Sequence, residues 1–341
     1  MSFNHALAID FGTDTIKISD RKNRVMICEK NMIAIRDDGK VMAVGDAAYD
    51  MYEKTPANIK AGCPMAHGVI AEGKNAERVL TYLLKKNRRF LSGHPAMFIA
   101  VPRDISQVEK RAYYNVLCNI VQERKIYLVD KGLADTIGVG VSMESPRASM
   151  LVNIGAGTTE ICVVAGGRVL ISKTLPVGGR AIDEEIIKMV RRMFQVNISE
   201  KTAVRLKNRL AYVEHGPEDQ LEVFGISTLS GLPVTTVVPS EAVSDALIGI
   251  VDQIAAEMKG ILDRLPPQFY HDILTAGLCL AGGSSLIVNL SDYMRKKLSV
   301  PISIVREPGL TTLRGVQAIM SHPALGEAFT FSLKDLNGKV V

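Results

Sequence analysis

The chain has no cysteine framework. Its five cysteines, Cys28, Cys63, Cys118, Cys162 and Cys279, are odd in number and scattered, with no CxxC pair and no Cys/His cluster. That argues against disulfide stapling and against a zinc site, and it points to reduced cytosol. The six histidines form no HxxxH or HxH pair, and His67 in CPMAHGVI reads as structural or cleft-lining. Aromatic residues are 5% of the chain, and no basic stripe is interleaved with them. With a net charge of only +5, the expectation is no nucleic-acid partner. The most apolar stretches, ALIGIVDQIAA and ILTAGLCLAGG, are too short or too charged to span a bilayer. The opening MSFNHALAIDFG lacks a basic region and a signal-length apolar run, so no export signal is expected.

What is present suits a large core. At 341 residues and 47% hydrophobic composition, two domains or one divided domain are expected. ALAIDF and TIKIS read as strands around a GTD turn, with Ile16 and Ile18 on an apolar face and Lys17 and Ser19 on a polar one. HPAMFIAVP reads as a buried strand, then a helix opening at Ser106 with Glu109 in a capping box. KIYLVD is a strand before the short helix GLADTIGVG, and MLVNIGAGTTEICVVAGGRVLISKTLPVGG reads as three strands joined by turns. A long amphipathic helix is expected over roughly 240 to 265, with Val243, Leu247, Ile250, Ile254, Met258 and Ile261 on one face and Pro266 and Pro267 ending it. Cys28 and Cys118 read as small buried hydrophobes, and KMVRRMFQ as a solvated helix face with Val190 and Phe194 buried.

The informative pattern is an echo. IDFGTDTIK (9–17) and VNIGAGTTE (152–160) each place a strand before a G-x-x-T turn, Gly12 to Thr15 and Gly155 to Thr158, and a second strand follows at once. Two such hairpins suggest a duplicated α/β fold with a ligand crevice. Glycine permits the close backbone approach that lets several N–H groups point at one anion, and threonine adds hydroxyl donors. Gly12, Thr13, Asp14 and Thr15 are therefore candidates for one side of a polyphosphate, and Gly155, Ala156, Gly157, Thr158 and Thr159 for the other. A third turn, Gly282, Gly283 and Ser284 before a helix start, is the candidate for a base or ribose.

In order, IDFGTDT, NIGAGTTE and LAGGSSL resemble the phosphate and adenosine motifs of the actin, Hsp70 and sugar-kinase superfamily. TPANIKAGCPMAHGVIAEG, AVPRDISQVEKRA, GISTLSGLP and LDRLPPQFYHDILTAGLCLAGG are similar to the MreB family of bacterial actin-like cell-shape proteins. The likeness runs to about Met320 and leaves no segment for a chaperone's peptide-binding domain. The resemblance implies an α/β, ribonuclease H-like fold duplicated into four subdomains. Its halves fall at 1–140, with a small subdomain about 30–65, and at 141–320, with another about 180–240; 321–341 is a terminal strand or docking tail. It implies ATP with magnesium in the cleft, and self-assembly into antiparallel double protofilaments on the inner membrane face. Other MreB paralogues and wall-synthesis membrane proteins are the partners it suggests.

Carried over residue by residue, the family's first aspartate is Asp10, expected to hold magnesium through water. The second motif's aspartate is Asn153, which removes one negative charge. The water-orienting glutamate of the family's Glu-Glu-Pro falls at Lys131 in Asp130-Lys131-Gly132, and an ammonium beside polyphosphate cannot act as a base. Asp130 or Asp135 is the substitute base to consider. Of the pocket pair Glu-x-x-Lys, Lys207 remains and the glutamate is Val204; the third glycine of the adenosine turn is Ser284. Weak or slow hydrolysis is the expectation. In KKNRRFLSG, Arg88 and Arg89 with Phe90 and Leu91 match the family's membrane-insertion loop and suit an anionic lipid surface. Two other readings stand beside the membrane filament: a non-polymerising pseudo-ATPase scaffold, and a small-molecule kinase of the same fold.

Overall fold

Alternate residues of strand β1 (Ala6–Phe11) face opposite ways, and both faces are buried. Leu7, Ile9 and Phe11 join one core cluster, while Ala6 and Ala8 join another. A strand covered on both sides needs helices above and below, and the chain supplies them. The computed structural model describes residues 5–22, 25–86, 95–121, 126–322 and 330–331. β2 (Thr15–Asp20) and β3 (Val25–Lys30) continue antiparallel from β1. A small sheet of β4 (Ile33–Arg36), β5 (Val41–Val44) and β6 (Ile59–Gly62) packs against helix α1 (Asp46–Met51) through Met32, Ala34 and Ala48. A short hairpin, β7 (Met65–Ala66) and β8 (Val69–Ile70), precedes α2 (Gly73–Lys86). The face of α2 at Ala76, Val79, Leu80, Leu83 and Leu84 is buried at helical spacing, each leucine contributing about 1.5–3 kcal/mol relative to exposure.

β9 (Ala96–Val101), α3 (Gln107–Cys118), β10 (Ile126–Asp130) and α4 (Lys131–Gly138) complete the first sheet and its helices. The expected capping box is present: Ser106 Oγ accepts from Glu109 N at 3.2 Å, and Glu109 Oε2 accepts from Ser106 N at 2.7 Å. Next come β11 (Ser149–Ile154), β12 (Thr159–Ala165), β13 (Arg168–Leu175), α5 (Gly179–Phe194), β14 (Val196–Asn197) and α6 (Glu200–Leu210). They are followed by β15 (Gln220–Ser227), β16 (Pro233–Pro239), α7 (Ser240–Leu262), α8 (Pro267–Ala276) and β17 (Leu278–Ala281). A 3-10 turn (Gly283–Leu286), α9 (Leu290–Leu298), β18 (Ile302–Ile304), α10 (Thr311–Ser321) and β19 (Thr330–Phe331) end the described chain.

The larger sheets have the orders β19-β10-β9-β1-β2-β3 and β13-β12-β11-β17-β18. Without β19 they repeat each other: a first strand, its two successors on one side, and two later strands on the other. In both sheets those later strands run parallel to the first. The chain divides into two units, one of 1–145, 162–174 and 309–341 and one of 146–161 and 175–308. In the first unit, α10 lies on the alanine face of β1 through Leu313, Val316, Ile319 and Met320. It meets α4 backbone to backbone: a Cβ on Gly315 would lie 1.6 Å from the Ala134 carbonyl oxygen, and one on Gly138 2.2 Å from that of Thr311.

Several local expectations need correction. The polar face of Lys17 and Ser19 is itself covered: α10 packs over Ser19, which accepts from Gln317 Nε2. Cys28 is exposed because β3 is a sheet edge, and Cys118, the last residue of α3, is half-buried. Val190 is buried, whereas Phe194 at the end of α5 is only half-buried. Helix α7 stops at Leu262, and Pro267 opens α8, where its missing N–H has no intrahelical partner to lose. After Gly282 comes a 3-10 turn rather than a continuous helix. Of the two readings of the C-terminal segment, strand is realised at Thr330 and Phe331, antiparallel to β10. Among the described residues no helix is long and apolar enough to cross a membrane.

Candidate functional site

The first turn hangs on the antiparallel register that pairs Phe11 with Ile16. A Cβ on Gly12 would lie 2.7 Å from the Thr15 carbonyl oxygen, so only glycine lets the turn close this tightly. Three hydrogen bonds from two residues brace the turn within its unit. Asn31 N donates to the Asp14 carbonyl at 2.8 Å, and Asn31 Nδ2 donates to the Gly12 carbonyl at 2.9 Å. Cys63 Sγ donates to the Thr13 carbonyl at 3.1 Å. Asn31 is buried, and its Oδ1 has no hydrogen-bond partner among the described residues.

Each acid of this turn has its own lysine. Lys17 Nζ lies 2.9 Å from Asp10 Oδ2, with both side chains nearly buried at 13% and 7% exposure. Lys30 Nζ lies 2.8 Å from Asp14 and 4.8 Å above the Tyr49 ring. The Lys17–Asp10 pair, held nearly out of water, interacts more strongly than the part-exposed Lys30–Asp14 pair. Thr13 is buried beside them, and Thr15 begins β2.

Asp130 ends β10, two strands from Asp10 in the same sheet. At about 4.8 Å per strand, that spacing puts the two backbones roughly 10 Å apart. Both Asp130 oxygens are in use: Oδ1 accepts from Leu133 N at 3.1 Å as the cap of α4, and Oδ2 accepts from Arg103 at 2.8 Å. Asp135 is buried and accepts from Thr312 Oγ1. Lys131 is the first residue of α4, half-buried, at the positive end of a helix dipole where a cation is unfavourable and an anion favourable.

The second turn repeats the first in shape. Gly155 N donates to the Thr158 carbonyl at 2.8 Å, and a Cβ on Gly155 would lie 3.0 Å from that oxygen. Its bracing comes from the start of α5: Gly179 N donates to the Gly155 carbonyl at 2.9 Å, and Arg180 N to that of Ala156 at 2.8 Å. Gly178 must also be glycine, since its Cβ would meet the Gly155 and Ala156 oxygens at 2.7 and 2.9 Å. Thr158 and Thr159 are buried, Thr159 Oγ1 donating to the Val177 carbonyl, while Ala156 and Gly157 are half-exposed at the tip.

The third turn joins the second within the same unit. Asn153 pairs across β11 and β17 with Ala281, next to Gly282. Gly282 has φ +83°, and its Cβ would lie 2.4 Å from Asn153 Oδ1, so glycine is required on two counts. Ser284 Oγ donates to the Gly155 carbonyl at 3.2 Å, while Gly283 has open space around it. Lys207 Nζ is 2.7 Å from Asp183 Oδ2 and donates to the Gly179 carbonyl at 2.8 Å. Thus Asn153, Gly155, Lys207, Gly282 and Ser284 converge in one unit, and Asp10 through Thr15 with Lys17 and Lys30 in the other. Arg88, Arg89, Phe90 and Leu91 lie outside the described residues.

The profile of the MreB/Mbl protein family matches residues 4–326. The chain belongs to the MreB/Mbl family. Among its relatives, the cell shape-determining protein Mbl of Bacillus subtilis is 31% identical over 309 residues, 90% of this chain and 92% of Mbl. The cell shape-determining protein MreB of Escherichia coli is 32% identical over 321 residues, 92% of each chain. Among solved structures, MreB5 of Spiroplasma citri bound to AMPPNP superposes with a TM-score of 0.87 at 24% identity, covering 92% of this chain and 95% of its own. The MamK double helical filament superposes at 0.78 with 20% identity, covering 93% and 99%. These likenesses show the actin-like fold, in keeping with the repeated sheet order.

Sequence reasoning missed the residues that hold the turns rather than form them: Lys17, Asn31, Cys63, Arg103, Gly178, Gly179 and Asp183. Gly178-Gly179 is a dipeptide glycine signal at a helix start and was legible. The others act across 7 to 50 positions of chain, where no local pattern marks the partner.

Proposed function

We propose that this chain is a nucleotide-binding cytoskeletal protein that assembles with copies of itself and helps to determine cell shape. The observation that carries the reading is family membership over nearly the whole chain, joined to two glycine-threonine turns of the same construction. Relatives named as cell shape-determining proteins, and fold neighbours solved with AMPPNP, with ADP and as a filament, support it. Gly12 to Thr15 and Gly155 to Thr159 take phosphate oxygens on backbone N–H groups and hydroxyls. Lys207 and the Gly282–Ser284 turn take the nucleoside end.

Hydrolysis is slow in this reading, because binding and turnover need different groups. Turns that bind phosphate alike in the ground state and the transition state give no acceleration. A water-activating carboxylate is what acceleration needs, and Lys131 holds that place. Asp130 and Asp135, the substitutes, already serve as a helix cap with its arginine and as a buried acceptor. A small-molecule kinase needs the same carboxylate and is disfavoured on the same ground.

The β15–β16 hairpin supports self-assembly. Facing pairs Glu222/Val237, Phe224/Thr235 and Ile226/Pro233 put Phe224, Ile226 and Val237 on one exposed face, with Leu229 and Leu232 at the turn. Phe224 is 71% and Leu229 81% exposed, and apolar side chains so grouped mark contact surfaces. Filaments lie on the inner membrane surface, with residues 88–91 as the contact, alone or with other MreB-type proteins and wall-synthesis membrane proteins. Sedimentation with ATP, with and without vesicles of anionic lipid, tests this. Pelleting that needs ATP and increases with vesicles is expected. No ATP-dependent pelleting in either condition overturns the filament reading and leaves the scaffold that modifies other filaments.

A further inference from the structure

Relatives of this fold imply a divalent cation beside the nucleotide, and the donor set of this chain does not fit one. A hard divalent cation takes oxygen ligands and selects carboxylates, reached directly or through water. Of the two motif positions that would supply them, one is Asn153, whose carbonyl is neutral and whose side chain lies against the Gly282 backbone. The other is Asp10, whose carboxylate is already neutralised by Lys17 at 2.9 Å, both groups nearly out of solvent. A dication hydrated at Asp10 would stand within a few ångströms of that ammonium, where repulsion is weakly screened. The neighbouring acid, Asp14, carries Lys30.

The same groups suit a bare polyphosphate. Lys17 is tethered at the turn, its ammonium donates to Asp10 with further N–H groups to spare, and lysine serves phosphate well as a point charge. Asp10 then acts as the anchor that holds the lysine in place, its Oδ2 accepting from the ammonium. Lys131, at the positive end of α4, adds positive charge in the same unit. We propose that this chain binds nucleoside di- and triphosphate independently of divalent cations, Lys17 supplying at the first turn the counter-charge that relatives draw from a metal. The inference rests on the nucleotide-binding reading above and deepens it.

Equilibrium titration of the full chain with fluorescently labelled ADP, in excess magnesium and again in excess EDTA, tests it without a variant. Affinities within about threefold of each other are expected. Binding in magnesium that falls tenfold or more in EDTA, on the order of 1.4 kcal/mol, overturns the inference while leaving the nucleotide reading intact. Binding in neither condition overturns both. Lys17→Met separates the lysine's role from general folding. It should lose at least about tenfold in affinity in EDTA and recover part of that in magnesium, because Asp10 is then free for the metal. A Lys17→Met protein that binds as wild type in EDTA also overturns the assignment, and its circular dichroism and melting curve show whether it folds.

Discussion

In the first unit the glycine turn carries two carboxylates, Asp10 and Asp14, and each holds a lysine. In the second the turn has no charged member: Asn153 precedes it, and its carbonyls are tied to the first N–H groups of α5. Yet in both a glycine is pressed against the carbonyl three residues on, 2.7 Å in one and 3.0 Å in the other for a notional Cβ. Shape has been kept on both sides while charge differs. Shape aims backbone dipoles at phosphate; free negative charge is what recruits a metal or orients water, and here each carboxylate of the turn is matched by a lysine. A protein that keeps the first without the second is expected to hold nucleotide and cleave it slowly.

The comparison breaks most readily at the glycines. Gly282→Ala meets a positive φ, the Ile154 carbonyl oxygen at 2.3 Å and Asn153 Oδ1 at 2.4 Å, and should abolish nucleotide binding and lower stability by at least about 3 kcal/mol. Gly12→Ala should weaken binding more than Gly155→Ala, because 2.7 Å forces a shift and 3.0 Å is nearly tolerable. Isothermal titration and thermal melts on the three proteins check that order, and an equal loss for Gly12 and Gly155 would break the shape argument. Next in size, Lys131→Glu with Asn153→Asp should raise single-turnover phosphate release by about 10²-fold. No rise would mean that the slow step lies elsewhere.

The expected effect of Phe224→Asp is on assembly alone: polymer lost in sedimentation, labelled-ADP affinity unchanged. The smallest effect belongs to a surface network on α7 and α9. Tyr293 donates to Asp252 at 2.5 Å, with Lys297 at 3.2 Å, and the tyrosine hydroxyl chiefly holds the Asp252 carboxyl below its ordinary range. A carboxyl whose folded pKa is depressed adds stability that is complete above its unfolded value near 3.9 and lost as pH falls through the folded value. Tyr293→Phe should therefore cost on the order of 0.5 kcal/mol at neutral pH, and that difference should shrink below about pH 4 in denaturant melts.

The turns and the fold were legible because both are local: glycine, threonine and strand periodicity mark them within nine residues, and the echo marks the duplication. What holds the turns was not legible. Lys17 read only as the polar side of a two-residue period, whereas α10, some 300 positions on, covers the neighbouring Ser19 and turns that face inward. Asp183 meets Lys207 only because α5 and α6 pack together. Cys28 read as buried by residue type, whereas its place at a sheet edge decided otherwise. Chemistry at this site was read from substitutions against a family pattern, and the pairing of Asp10 with Lys17 was visible only once the strands were in register.

The most direct test of binding without turnover follows polymer mass and phosphate release in one tube after ATP is added. Slow hydrolysis predicts polymer that forms fully and persists while phosphate stays well below one per assembled subunit. Phosphate rising in step with polymer, reaching one per subunit as assembly completes, would contradict it.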